Sequence, residues 1–528
     1  MAVALEPLIF DSFKGLREYN GVNAGGEISA IACKNVELVQ TETGNATGIK
    51  SMAGNAVLYT LPDDGYKILG VFKSEQDGIT YEFIYAENAT QGRLYYIDIT
   101  KHPTSLIATL PKTGECNGIT MTSSAYDVFI FTNGVDAYSI CFTSDTSYGD
   151  AVKAITTETT PATDYQGNEI HFLAMSAWNG FLVVATDHGV RASHQNDIYT
   201  WNDNPTDVAD SWYIDFTKKV TALYSYTGGL YIFTSDDITY INTTPNDTAN
   251  SVFQTVAGVG CMSYTSIVKH DTFLFFYDNI QKNIYYIQNI DNGQTRPAGP
   301  AAREIQSAFK NVVTLKLYSC IYDNKNEIWC FITDANNKQY IYIYNYVHNE
   351  WTTREEQNIT SLCLFKNVIH TGSGKTVLKE FLNNSYNNLY YTSVYQTCFI
   401  NAGSNTNLKK QKTPLLLVLN DSYLNDFWVQ LTVNGKAKNP KRVKVTVSDS
   451  GVYGDSDEEL DILPDNQTFD VATYGAYNPY SKKVVEISTP QTWYTMSIKI
   501  YTDRLGQGFY INSMELKNMK AKLKTRGR

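Results

Sequence analysis

GLYIFTSDDITYIN, residues 229–242, decides the fold of this chain. A dense apolar and aromatic run, GLYIFT, gives way to a polar turn and then to a second run, ITYIN, that again carries a tyrosine. Aromatic and β-branched residues suit a pleated, half-buried surface, so two such runs joined by a short polar turn predict a β-hairpin.

The same shape recurs on both sides of it. TYEFIY with RLYYIDI, DVFIFT with DAYSICF and GFLVVAT with VRAS precede it; TFLFFY with IYYIQ, EIWCFIT with YIYIYNY and NVIHTG with VLKEF follow. The first runs centre near Phe83, Ile130, Val183, Ile232, Phe275, Cys330 and Ile369, at intervals of 47, 53, 49, 43, 55 and 39 residues. A period of roughly 40–50 residues containing several short strands is the length of one propeller blade. A blade cannot bury both faces alone, so blades must close into a ring. The expected architecture is all-β: a β-propeller of six or seven blades over residues 61–381, after an N-terminal lead-in segment over residues 1–60.

Beyond residue 381 the pattern changes. Val443, Val445 and Val447 alternate with Lys444 and Thr446, and Met496, Ile498 and Ile500 alternate with Ser497 and Lys499. A period of two predicts strands with one buried and one wet face. With PLLLVLND, FWVQLTV and FYINSMEL as further strands, residues 382–516 are expected to form an antiparallel β-sandwich, ending in a basic C-terminal tail over residues 517–528.

Composition narrows the function. The chain has 528 residues and a net charge of −11, with 39 Tyr, 23 Phe and 7 Trp. Residues 401–528 hold 18 Lys and Arg against 13 Asp and Glu, whereas the first 400 hold 25 against 41. An acidic body is poorly suited to wrapping nucleic acid, which requires a basic face. The eight cysteines show no C-x-x-C and no zinc spacing, and read as reduced core residues. No apolar run is long enough for a membrane-spanning helix and the start lacks a signal-peptide pattern, which predicts assembly in a reducing cytoplasm.

Motifs that could carry chemistry have simpler readings. GSGKT at residues 372–376 resembles a phosphate-binding loop, but the glycine that loop needs five residues before Gly374 is Ile369, so a hairpin turn is expected. His188 and His194, near Asp187 and Asp197, are spaced without a shared face or a third ligand. The acidic run Asp455, Asp457, Glu458, Glu459 and Asp461 lacks the alternation and central glycine of a calcium loop. No G-x-S-x-G elbow is present. The chain is therefore read as a non-enzyme without a cofactor. The segment LKNMKAKLKTRGR carries Lys517, Lys520, Lys522, Lys524, Arg526 and Arg528 with no acid among them. It is the candidate arm for docking on an acidic partner.

The order of the modules resembles a known family. FKGLREYNGVNAGG (13–26) followed by ACKNVELVQTETGNATGIKSMAGN (32–55) resembles the start of the tail-nozzle proteins of short-tailed bacteriophages, also called packaged-DNA stabilisation or head-closure proteins. WNGFLVVATDHGVRASHQNDIYTWND (178–203) resembles one of their blades and WTTREEQNITSLCLFKNVIHTGSGKTVLKEF (351–381) their closing blade. TVSDSGVYGDSDEE (446–459) and WYTMSIKIYTDRLGQGFYINSMEL (493–516) resemble their C-terminal sandwich, with Val452 and Tyr453 where that family commonly has a tryptophan hairpin.

The resemblance implies a virion structural protein of the phage tail, assembled in the host cytoplasm. It would form a homo-oligomeric ring, a hexamer by the family's pattern, below the portal and adaptor. Such a ring extends the channel for double-stranded DNA, retains the packaged genome and allows its ejection. Its other contacts would be tail fibres or a tail needle, with no sequence-specific nucleic acid. The alternative is a receptor- or glycan-binding propeller module of a tail fibre, and a propeller hydrolase would need converging carboxylates.

Overall fold

The structure is a computed structural model. It describes the chain apart from residues 1, 6, 18–26, 41–46, 99–103, 124–125, 143–151, 156–169, 202–205, 248–252, 289–296, 299–300, 323–324, 356–357, 366, 382–390, 403–406, 421–424, 446–481, 506, 518 and 523–528. The chain divides into two compact units, one of residues 53–388 and one built from both ends, 1–52 with 389–528. Apart from one 3-10 helix, Arg303–Phe309, every named element of the described residues is a strand, and no helix is long and apolar enough to cross a membrane.

Residues 53–388 form a propeller of seven four-stranded blades. Blade 1 pairs Lys67–Gln76, Ile79–Glu87, Gln91–Asp98 and Thr104–Pro111 in sequence order. Blades 2 to 6 repeat the meander, starting at Asn117, Ile170, Ala222, Ile267 and Val312. Each predicted hairpin is the second and third strand of a blade, and its centre is the buried middle: Phe83, Ile130, Val183, Ile232, Cys330 and Ile369 are fully buried and Phe275 nearly so. The first strands of most neighbouring blades, including blades 7 and 1, lie beside one another on the inner side of the ring. Apolar side chains from adjoining blades merge into shared cores. Leu230, Ile232 and Ile241 of blade 4 meet Trp178, Val183 and Trp212 of blade 3, while its Phe233 and Ile238 meet Leu274 and Phe276 of blade 5.

The turn between the second and third strands shows why the repeat is regular. Asn88, Asn133, Asp278 and Asp334 each use a side-chain oxygen to accept two backbone N–H groups two to four residues on. A short Asx side chain mimics a backbone turn in this way, which suits it to the reversal. In blade 7 the reversal is Gly374 and Lys375, between Ser373 and Thr376, which pair. GSGKT is thus a hairpin turn, as expected.

The ring closes through blade 7. Its first three strands are Ile359–Phe365, Val368–Ser373 and Thr376–Glu380, but its fourth is Asn55–Thr60, antiparallel to Thr376–Glu380. The expected lead-in over residues 1–60 is therefore divided. Its last six residues are a blade strand, because closure of the ring needs a fourth strand with a free edge to cover.

Residues 1–52 belong instead with the C-terminal unit, which moves the propeller's bounds from 61–381 to 53–388. In that unit Lys482–Ile487, Leu415–Asn420, Tyr510–Leu516 and Thr47–Ser51 pair in one run. Lys441–Val445, Asn425–Val433, Met496–Tyr501, Val394–Thr397 and Glu27–Lys34 pair in another. Leu415, Leu417, Ile511 and Met514 of the first run share a core with Val429, Leu431, Ile498 and Ile500 of the second. The expected alternation holds at Val443 and Val445, which are buried beside exposed Lys444. Val447 lies outside the described residues, as does the acidic run 455–461.

Candidate docking surface

The predicted docking tail is only partly a tail. Met519–Lys522 is a strand that pairs on one side with Ala2–Ala4 and on the other with Leu408–Gln411, which in turn pairs with Thr492–Trp493. The cause is its two-residue period: Met519 is buried in the core and Lys520 is exposed, which is the pattern of a half-buried strand. Lys524, Arg526 and Arg528 lie outside the described residues. Lys517 precedes the strand and is paired, its Nζ 2.5 Å from Glu515 Oε2, while its carbonyl accepts the Thr413 hydroxyl at 2.6 Å. What was expected as a free arm over residues 517–528 is, through Lys522, part of a sheet.

That sheet gathers cations the tail alone would not. Lys520 stands directly opposite Lys410, and the backbone of Lys522 pairs opposite Leu408. Lys410, Lys412 and Lys520 are exposed and none has a carboxylate partner among the described residues. Like charges directly opposite on a sheet repel and destabilise it. The intervening lysine faces inward. Lys409 is buried, its Nζ donating to the Tyr494 carbonyl at 2.8 Å and lying 5.5 Å from the Trp493 ring centroid, and burial holds its pKa below the ordinary lysine value. Trp493 donates in turn to Gln411 Oε1 at 3.0 Å. This buried layer fixes the outer lysines on a rigid strand.

Beside them is an open groove of about 830 Å³ lined by Lys410, Lys412, Thr413, Glu486, Thr489 and Gln491. The sequence carried a signal for this: in LKKQK, residues 408–412, alternation sends Lys410 and Lys412 outward together. Charge is divided between the units. The unit from both ends holds 22 Lys and Arg against 19 Asp and Glu, the propeller 21 against 35.

The histidine cluster does not converge. His188 is exposed in a hairpin turn, Asp197 accepts from the Tyr199 backbone N–H and the Thr200 hydroxyl, and His194 Nε2 lies 3.5 Å from Asp210, which sequence reasoning had not singled out.

No protein-family model matches this chain, and no curated protein does. Among solved structures it is similar to the CNH domain of AfRom2, at 9% identity and a TM-score of 0.36 over 62% of this chain and all of that one. A protein from Lactobacillus plantarum matches at 10% identity and a TM-score of 0.34 over 61% of this chain and 94% of that one. A putative 6-phosphogluconolactonase from Bacteroides uniformis matches at 11% identity and a TM-score of 0.33 over 60% and 94%. At these scores the propeller rests on the strand register of the seven blades.

Proposed function

We propose that this chain is a virion structural protein of the tail-nozzle type, forming a cyclic homo-oligomer that docks on a phage head through its basic sheet. The observation that carries the reading is the pairing of the chain's two ends. The phrases that resemble the nozzle family lie some 450 residues apart in sequence, yet Ile49 of the first pairs with Ile511 of the last, and Ala30–Lys34 with Val394–Thr397 beside Met496–Tyr501. They make one physical unit, and that unit presents Lys410, Lys412 and Lys520.

Repelling lysines held rigidly together favour an anionic partner surface, such as an acidic adaptor subunit. Within each propeller Tyr264, on the segment leading into blade 5, and Cys116, on that leading into blade 2, line one central space of about 430 Å³, too small for a duplex. A DNA duplex would therefore run through the centre of a ring of copies, which requires rotational symmetry among them. Some of the tyrosines that a glycan-binding module would display are instead buried in the blades, as at Tyr85, Tyr95 and Tyr277.

Two measurements test this. Electron micrographs of the purified chain should show closed rings. Lys410→Glu with Lys520→Glu should leave the rings intact and abolish attachment to DNA-filled heads lacking this protein, scored as DNA-retaining particles. Wild-type attachment should weaken with ionic strength, because the screening length is only about 8 Å at physiological salt. A chain that stays monomeric and retains no DNA overturns the proposal.

A further inference from the structure

Inside the propeller, the first strands of blades 1, 6 and 7 and the segments leading into blades 2 and 5 enclose a cavity of about 430 Å³. It continues into a second space of about 180 Å³, and Lys316, Tyr264 and Cys116 line both. Lys316 projects from the first strand of blade 6 towards blade 7. Its Nζ donates to the Thr360 carbonyl at 3.3 Å, an acceptor it shares with the Tyr318 hydroxyl at 3.4 Å. No carboxylate lies within ion-pair distance of it among the described residues. Burial draws its pKa below the ordinary lysine value; the Glu115 carboxylate opposes that shift and the nearby Lys67 ammonium adds to it. Lys316 is half-buried, and a cation so withdrawn from water is costly unless paired or coordinated. Here one long hydrogen bond to a shared carbonyl is its described partner, and a second cation lines the same space.

We propose that this axial cavity binds a small oxyanion-bearing molecule, its phosphate or carboxylate group seated on Lys316, with Lys67 at the mouth and the hydroxyls of Thr314 and Thr333 as neutral donors. Thr314 and Thr333 stand opposite one another on the first two strands of blade 6 and line the same space. The volume is that of a metabolite-sized pocket and too small for a polymer. The anion supplies the charge that Lys316 lacks, and Lys67 draws it in through the open side. Glu115, at the same mouth, disfavours ligands with several negative charges. The inference does not rest on the assembly reading: the cavity belongs to one propeller and needs no ring.

The test is the thermal transition of the full-length protein titrated with inorganic phosphate, and separately with acetate, at constant ionic strength. A ligand that binds only the folded state raises the transition with concentration. Phosphate, acetate or both should raise the wild type, and which one does so identifies the group. Lys316→Met should weaken the response about ten-fold or more, since a charged hydrogen bond and its ion are lost. Lys67→Met should weaken it less, and Lys375→Ala, outside the cavity, should leave it intact. Without ligand, Lys316→Met should be at least as stable as wild type, because an under-coordinated ammonium is removed. If Lys316→Met fails to fold, Lys316→Gln serves in its place. Equal responses in the wild type and the Lys316 variant, or no response of the wild type to either anion, overturn the proposal and leave Lys316 a hydrated lysine.

Discussion

Blade 4 and blade 7 have the same four-stranded plan but are held together differently. Blade 4 is one continuous stretch from Ala222 to Ala257, and its interior is apolar, with Leu230, Ile232, Phe233, Ile238 and Ile241 all buried. Blade 7 takes its fourth strand from a segment more than 300 residues earlier, and two carboxylates are buried at that junction. Glu380 pairs with Arg354 of blade 6 and accepts hydrogen bonds from Thr371 of its own blade and from Asn55 of the closing strand. Arg354 lies 4.8 Å from the Trp329 ring centroid. Glu82 of blade 1 accepts from Tyr59 of the closing strand and lies 2.9 Å from His370 Nδ1 of blade 7. Apolar contact alone tolerates a strand sliding by two residues; hydrogen bonds to a fixed carboxylate do not. In blade 4, whose strands follow one another in sequence, apolar packing fills the interior. At the closing strand of blade 7, buried polar groups set the register.

The contrast predicts different responses to single substitutions. Glu380→Ala removes a buried carboxylate that pairs with Arg354, and removing one member of such a pair costs about 3–5 kcal/mol. Ile232→Ala leaves a cavity in blade 4 and should cost about 3 kcal/mol. A second change separates the mechanisms: adding Arg354→Met to Glu380→Leu should recover part of the loss, because the buried cation that Glu380 offset is gone while Asn55 and Thr371 still lose an acceptor. Urea unfolding midpoints measure all of these. A Glu380→Ala variant more stable than Ile232→Ala would show that closure does not depend on the carboxylate.

The same difference explains what could be read from the sequence. The second and third strands of each blade were legible because both their faces are buried, giving runs such as GLYIF and FLFFY. The first strands were not. Lys67–Gln76 reads KILGVFKSEQ and Asn117–Ser123 reads NGITMTS, since they line the polar axis on one side and neither apolar density nor clean alternation survives. The closing strand NAVLYT has a mixed pattern, because Val57 and Leu58 are exposed while Asn55 is buried. Its partner Thr376–Glu380 is visible in sequence, but nothing local says the two meet. Of the docking surface, Lys517, Lys520 and Lys522 were found by charge alone, whereas Lys410 and Lys412 become their neighbours only through strand pairing.

A smaller effect sits at the junction of blades 5 and 6. His270 is buried, its Nδ1 2.8 Å from the Ser319 hydroxyl, and burial pushes its pKa from 6.5 down to about 4. The Asp271 carboxylate beside it acts weakly in the opposite direction. The folded state thus holds a neutral imidazole and binds fewer protons than the unfolded chain between those two values. Its contribution is complete above about pH 6.5 and is lost as pH falls towards 4. His270→Gln should keep the bond to Ser319 and flatten the dependence of the thermal midpoint on pH in that window. A variant whose midpoint falls as steeply as wild type between pH 6.5 and 4 would remove His270 from the account.

The smallest effect is expected where the sequence most resembles a working motif. In GSGKT the backbone carries the structure: the Gly374 carbonyl accepts the Ile68 N–H at 2.7 Å and the Lys375 carbonyl accepts the Leu61 N–H at 2.9 Å, so the turn ties blade 7 to the first strand of blade 1 and to the segment entering it. The Lys375 side chain is exposed and, among the described residues, meets the exposed Asp64, 2.5 Å away. Exposed ion pairs of this kind contribute little, and salt screens them. Lys375→Ala should therefore leave the unfolding midpoint unchanged within error and alter no nucleotide binding. Gly374 is different. Its φ of 56° lies in the left-handed region, and although nothing lies within 4 Å of an added Cβ, Gly374→Ala should cost about 1 kcal/mol through backbone strain alone. If Lys375→Ala proved the more damaging of the two, or removed micromolar nucleotide binding measured by calorimetry, the lysine rather than the turn would be the reason for this stretch of sequence.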